Sequence, residues 1–85
     1  MITGMQIRSA RAALRLTVEG LAALSSVSAR TIKRMESEDG QPVSTPANLA
    51  AVKSCLEASG IEFIGDAEEG PGIRIWPPRR ERTAT

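Results

Sequence analysis

The chain has few of the side chains that most enzymes use for chemistry. Its 85 residues include no histidine, no tyrosine and a single cysteine, Cys55. These residue types supply many of the general acids and bases, nucleophiles and transition-metal ligands of proteins. The carboxylates lie in segments that resemble loops and lack a matching partner pattern. We therefore expect a protein that is not an enzyme and that uses no metal or cofactor.

Long apolar runs are also missing. No stretch approaches the roughly 18 apolar residues of a membrane-spanning helix, and no basic stretch followed by an apolar core opens the chain. A lone cysteine cannot form an intramolecular disulfide, which agrees with a reducing compartment. These features predict a cytoplasmic protein without a membrane partner. Cys55 itself is interpreted as a small core residue rather than a redox site.

The formal net charge is +1, yet the charges are segregated along the chain. Residues 1–35 hold six basic residues and one acid, residues 36–70 hold eight acids and one base, and residues 71–85 hold four basic residues and one acid. Such a chain can offer a basic face to a polyanion while it remains nearly neutral overall. A domain this small buries a modest fraction of its surface and is often dimeric.

Apolar residues at helical spacing predict a first helix over residues 4–16, which ends near Arg15 and Leu16. Thr17 then caps a short second helix over residues 18–25.

A third helix is predicted over residues 29–36, with Ser28 as its N-cap. At 100° per residue, Ile32 and Met35 point inward. Four residues spread over the opposite side: Ala29, Arg30, Lys33 and Arg34. The basic residues therefore share one exposed face, for which the alternative is an ordinary solvated helix surface.

A polar loop with two breakers, Gly40 and Pro42, separates this helix from a fourth. Thr45 caps the fourth helix, Pro46 occupies its first turn, and Gly60 follows its end. Its apolar stripe consists of Leu49, Val52 and Leu56.

Two short apolar runs, 61–64 and 73–76, flank a Gly- and acid-rich connection and predict a β-hairpin. Alternation places Glu62 opposite Arg74. Four residues are expected to face the helices: Ile61, Phe63, Ile73 and Ile75. The expected fold is a mainly α bundle of about four helices over residues 1–59, a hairpin over 60–76 and a disordered basic tail over 77–85.

The stretch LTVEGLAALSSVSARTIKRMES resembles the helix-turn-helix of the Cro and lambda-repressor-like family, also called the XRE type. The similarity runs from about Met5 to Leu56, and the matching residues are Thr17, Leu21, Ala22, Leu24, Val27, Ser28, Ile32, Met35 and Glu36. The resemblance implies a lambda-repressor-like fold whose recognition helix, residues 28–36, enters the major groove of double-stranded DNA. Val18 departs from the usual glutamine, and Ser26 replaces a glycine of the turn, where a left-handed backbone is often needed.

The resemblance also implies roles for individual residues. Base-reading positions are Ala29, Arg30, Lys33 and Arg34, because an arginine fork matches guanine O6 and N7. Phosphate-contacting positions are Thr17, Ser28, Thr31, Ser44, Thr45 and Asn48. Arg11 and Glu36 are expected to form a largely buried ion pair that is structural.

We therefore predict a bacterial-type transcriptional regulator that binds an inverted-repeat operator as a homodimer. The hairpin is the expected dimerisation element, with an interface that comprises Ile61, Phe63, Ile64, Ile73, Ile75 and Trp76; the competing interpretation is that it covers the helical core of a monomer. The tail arginines are interpreted as a solvated end, with a minor-groove arm as the alternative. A different function on the same fold is an antitoxin-like or anti-regulator module whose acidic central block binds a protein partner.

Overall fold

Four helices and one β-hairpin follow one another along the chain. The computed structural model describes residues 2–77. Its elements are α1 (Gly4–Ala13), α2 (Val18–Ser25), α3 (Ala29–Glu36), α4 (Pro46–Ala58), β1 (Ile61–Ile64) and β2 (Gly72–Ile75). The prediction of a small, mainly helical domain with a C-terminal antiparallel hairpin is thereby confirmed. The predictions for the basic tail beyond Pro77 lie outside the described residues.

Within residues 2–77, no helix combines the length and the apolar composition that crossing a membrane requires.

Three of the helices begin at the residues that capping chemistry predicted. The hydroxyl oxygens of Thr17, Ser28 and Thr45 each accept a hydrogen bond from the backbone N–H three residues further on, at 2.9, 3.2 and 3.2 Å. Each bond satisfies one of the N–H groups that a helix start leaves without an intrahelical partner. Pro46 occupies the first turn of α4, where it removes no intrahelical bond.

Helix α1 ends three residues earlier than its apolar stripe predicted. Arg15 has a left-handed backbone with φ 58°, which breaks the helix after the cap residue Leu14. Leu16 N–H donates to the Arg11 carbonyl and Arg15 N–H to the Ala12 carbonyl, both at 3.0 Å. This pair of bonds is a Schellman motif, which usually has glycine at the left-handed position. An arginine there gave no sequence signal for the stop.

The core lies where α1, α2, α3 and α4 meet, and the hairpin closes it. Among residues 2–77, seven apolar side chains are fully buried there: Ile7, Ala10, Leu21, Ile32, Met35, Val52 and Leu56. Leu49 and Ile61 are also buried and belong to the same cluster. The apolar stripe predicted for α4 therefore faces the core, and β1 extends the core beyond the helices.

The hairpin pairs Ile61 with Ile75, Glu62 with Arg74 and Phe63 with Ile73. The predicted pairing of Glu62 with Arg74 is confirmed, with their charged groups 3.3 Å apart. Phe63 and Ile73 pack partly buried against the core.

Ile75 lies opposite Ile61, on the hairpin face that turns toward the helices as expected, but its side chain is 56% exposed. It lies at the end of β2 beside an open groove that is also lined by Leu14, Ala58 and Trp76, so no helix covers it. Strand β2 also begins one residue earlier than predicted, and Trp76 follows its end. The backbone N–H of Trp76 still donates to the Gly60 carbonyl at 2.8 Å.

A buried amide joins α1 to the hairpin. The Gln6 side chain donates from Nε2 to the carbonyl oxygens of Ile64 and Gly72, at 3.0 and 2.8 Å. Its Oε1 accepts from the Thr3 backbone N–H at 2.9 Å, and Thr3 Oγ1 accepts from the Gln6 N–H at 3.1 Å, which completes a capping box. One side chain thus both caps α1 and bonds to the two strands.

The start of α1 also approaches the loop after α3 very closely. Gly4 N–H donates to the Gly40 carbonyl at 2.8 Å. A Cβ atom at position 4 would overlap the backbone carbonyl oxygens of Met35 and Glu38. Glycine is therefore required here by space.

Candidate nucleic-acid interface

Helix α3 has one buried face and one basic face. Ile32 and Met35 are fully buried, and Glu36 is 8% exposed. The basic face consists of Arg30, Lys33 and Arg34, which are exposed. These positions are three and four residues apart or adjacent, so their side chains emerge on the same side of the helix. Ala29 and Thr31 lie at the first turn and are half-buried.

The charges of the basic face differ in how far they are balanced. Within residues 2–77, neither Arg30 nor Arg34 forms an ion pair, whereas Lys33 Nζ lies 3.8 Å from Glu19 Oε2 in α2. Both side chains of that pair are well exposed. Two guanidinium groups are therefore free to bind an external anion.

The predicted ion-pair residues Arg11 and Glu36 are in contact and join α1 to α3. Arg11 Nε lies 2.8 Å from Glu36 Oε2, and Arg11 NH2 lies 2.9 Å from Oε1. The hydrogen bond to Glu36 raises the pKa of Arg11 above its ordinary value, although partial burial acts in the opposite direction. A third nitrogen, NH1, donates to the Leu16 carbonyl at 2.9 Å. The fork thus holds the end of α3 and the turn after α1 together.

Arg8 is one of the six basic residues of 1–35, but its side chain makes contacts within the fold. It donates to the Glu36 carbonyl at the end of α3 and to Asp39 Oδ1, the latter at 2.7 Å. The residue counts as basic in the sequence, but its charge is balanced by Asp39 in the fold. Arg8 and Arg11 thus form ion pairs that join α1 to the end of α3 and the loop after it. The other four basic residues of 1–35 take no part in these two ion pairs.

The predicted phosphate-contacting residues lie at the starts of three helices. Thr17 precedes α2, Ser28 precedes α3, and Thr45 precedes α4, and all three are exposed. Ser28 Oγ also donates to Thr31 Oγ1 at 2.9 Å. Ser44 precedes Thr45, Asn48 lies in the first turn of α4, and both are half-buried. Backbone N–H groups at such helix starts are suited to bind anions.

The residues assigned to a dimer interface do not form one surface. Ile61 is a core residue of its own chain, so its assignment to an interface is corrected. Phe63 and Ile73 are half-buried on the same side of the sheet. The remaining three, Ile64, Ile75 and Trp76, are exposed.

The outer face of the hairpin carries a cluster around Glu62. Glu62 Oε1 accepts from Trp76 Nε1 at 2.9 Å and from Arg74 NH1 at 3.3 Å. The Arg74 guanidinium lies 5.7 Å from the centre of the Trp76 ring, within the range of a cation–π contact. The Trp76 side chain is thus held in place although it is 53% exposed.

No protein-family model and no curated protein sequence matches the chain. Its function is therefore inferred from the geometry of its own residues.

Proposed function

We propose that the chain is a sequence-specific DNA-binding transcriptional regulator of the lambda-repressor-like helix-turn-helix type. In this proposal α2 and α3 form the helix-turn-helix, and the basic face of α3 enters the major groove. Such domains place the second helix of the motif across base edges while the first crosses the backbone.

The observation that carries this proposal is the division of α3 between core and solvent. Ile32 and Met35 anchor the helix from behind, and the Arg11–Glu36 ion pair fixes its end. The opposite side therefore projects Arg30 and Arg34 from a rigid support, without a balancing acid within residues 2–77. A fixed guanidinium can present two N–H donors to guanine O6 and N7, worth about 1–3 kcal/mol of discrimination.

The turn between the two helices also supports the proposal. Ser26 has φ 62° and ψ 21°, the left-handed conformation expected for this position of the motif. Thr17 and Ser28 are exposed and lie at the two helix starts, where they are available to phosphates.

Fluorescence anisotropy on duplex DNA tests the proposal. Sites would be selected from a random pool with the wild-type chain and then measured between 50 and 200 mM salt. The double substitution Arg30→Ala with Arg34→Ala should abolish sequence preference and flatten the salt dependence, because it removes contacts to bases and phosphates.

A charge-matched control is Lys53→Ala with Arg74→Ala, since both residues are exposed and lie outside α3. This control should retain specific binding. Equal binding by the α3 double variant and the wild type would refute the proposal.

We also propose that the regulator binds as a homodimer. Two-fold symmetry then predicts an inverted repeat whose half-sites lie about one helical turn, roughly 34 Å, or a multiple of it apart. The exposed Ile64 and Trp76, on the outer face of the hairpin, supply apolar area for the contact. Sedimentation of Ile64→Lys should show loss of the dimer, whereas Val43→Lys, an equally drastic change at another exposed position, should not. Truncation before Gly60 is unsuitable, because it removes the core residue Ile61.

A second candidate is an antitoxin-like or anti-regulator module that binds another protein. It is favoured by the exposed Ile75 and Trp76, which lie beside the carboxylates Glu57 and Glu62 around one groove. Under this proposal Trp76→Ala abolishes activity and the α3 double variant retains it, the reverse of the pattern expected for DNA binding.

A further inference from the structure

Within residues 2–77, Glu19 is the acid that forms an ion pair with the basic face of α3. It lies in the first turn of α2, with Oε2 3.8 Å from Lys33 Nζ. Its side chain is 71% exposed and that of Lys33 is 64% exposed. The carboxylate thus lies at the surface that the proposed function places against DNA.

This pair contributes little to folding. Exposed ion pairs at such distances add little stability, because water screens both charges and two long side chains must be ordered. Glu36 differs, because its carboxylate is 8% exposed and binds Arg11 through two short hydrogen bonds. A contribution to folding therefore does not explain why a carboxylate lies beside Lys33.

We propose that Glu19 is a specificity-determining residue that suppresses binding to DNA of arbitrary sequence by balancing the charge of Lys33. This inference rests on the proposed function of α3. Non-specific binding depends almost entirely on basic side chains that neutralise phosphates and release counterions. The carboxylate 3.8 Å away lowers the positive potential around Lys33, so Lys33 releases fewer counterions than an unpaired lysine and adds less to that binding.

Glu19 affects binding to the selected DNA sequence differently from binding to random DNA. Lys33 can leave a weak, exposed contact to bind a guanine edge, which phosphates of arbitrary sequence do not offer. The carboxylate then lowers specific affinity less than non-specific affinity. Removal of the Glu19 charge should therefore increase binding to random DNA more than binding to the selected site.

The largest gain expected on random DNA is that of one additional neutralised phosphate. Such a contact makes the salt dependence steeper by about 0.9 and strengthens binding about fifteenfold at 50 mM salt but about fourfold at 200 mM. The ratio of specific to non-specific affinity should fall accordingly.

The experiment measures anisotropy on a random duplex and on the selected site with the full chain. The variants are Glu19→Gln, Lys33→Met and their combination. Glu68→Gln is the matched control, because it removes the same charge from the exposed hairpin loop. Glu19→Gln should show the gain, Glu68→Gln should bind within about twofold of wild type, and Glu19→Gln should gain nothing in the Lys33→Met background.

Three results would overturn the inference while the proposed function stands. The first is a gain for Glu68→Gln equal to that for Glu19→Gln, which would indicate a general charge effect. The second is a gain from Glu19→Gln that persists in the Lys33→Met background, and the third is no gain from Glu19→Gln.

If the wild-type chain binds no duplex, the proposed function fails, and heparin-agarose tests the Glu19–Lys33 pair independently. Elution of Glu19→Gln at higher salt than Glu68→Gln then supports the balancing role. Elution at the same salt refutes it.

Discussion

Replacement of Gln6 with glutamate would test whether one buried amide holds the hairpin onto α1. Gln6 is 2% exposed, and its Nε2 group donates to one carbonyl in β1 and one in β2. Gln6→Glu conserves size and keeps an oxygen that can accept from the Thr3 N–H. The substitution therefore changes the donor to the strands and little else.

The size of the effect depends on the charge of the new carboxyl group. When ionised, it turns an acceptor toward two carbonyl oxygens, and an unpartnered buried charge costs about 3–5 kcal/mol. When protonated, it still donates one O–H, and the loss of one hydrogen bond costs about 1 kcal/mol.

The surroundings of residue 6 also determine how the stability of Gln6→Glu changes with pH. Burial beside the carbonyl oxygens of Ile64 and Gly72 raises the pKa of the new carboxyl above that of an unfolded glutamate, about 4.3. Between these two values the folded chain holds a proton that the unfolded chain has lost. The stability of the variant relative to wild type is therefore greatest below about pH 4 and falls as pH rises through the raised pKa.

Urea unfolding followed by circular dichroism at 222 nm, between pH 4 and pH 8, measures this difference. Gln41→Glu makes the same change at an exposed loop position and should be neutral across the range. If Gln6→Glu matches Gln41→Glu at pH 7, or if its deficit does not grow with pH, the amide does not hold the hairpin.

Three further substitutions test the packing around α3. Gly4→Ala should lower the free energy of unfolding by about 1–3 kcal/mol, because its Cβ overlaps backbone, whereas Gly40→Ala has open space and should be nearly neutral in the same urea titration. Ser26→Gly should raise the melting temperature, since a left-handed serine costs about 1–2 kcal/mol that glycine avoids; a decrease would contradict this. Glu36→Ala should cost about 3 kcal/mol in urea unfolding by leaving a largely buried arginine unpartnered, while Glu38→Ala, which removes an exposed charge, should have little effect.

Local chemistry made much of the fold predictable. Thr17, Ser28 and Thr45 determine where three helices begin through bonds that reach three residues along the chain, so the sequence contains both partners. The pairing of Glu62 with Arg74 follows from alternation in the two strands of one hairpin. These features do not depend on how the elements pack together.

What the sequence did not reveal depends on long-range contacts. The Thr3 to Gln6 spacing matches a capping box, a signal available in the sequence, but the bonds from Gln6 to the strands span 58 and 66 positions. Gly4 is similarly constrained by a loop more than thirty residues away. Neither the depth of a groove nor the exposure of Ile75 can be derived from a two-residue alternation.

The difference between charge counted along the chain and charge available on the folded surface leads to a last prediction. In the sequence, Arg8 and Arg34 count equally among the six basic residues of 1–35. In the fold, Arg8 lies 2.7 Å from Asp39, whereas Arg34 has no ion pair within residues 2–77. Arg34→Ala should therefore make the salt dependence of binding to random duplex DNA shallower by about 0.9, and Arg8→Ala should leave it nearly unchanged.

Anisotropy at four salt concentrations shows whether all basic residues contribute equally to DNA binding or only those without an internal ion pair. Circular dichroism checks that both variants are folded. A change of about 0.9 for Arg8→Ala would mean that DNA draws this guanidinium away from Asp39. The loop after α3 would then have to move on binding, because the same side chain also bonds the last carbonyl of α3. Equal effects of the two variants would thus contradict a rigid α3 support, whereas unequal effects would locate the binding charge on the basic face.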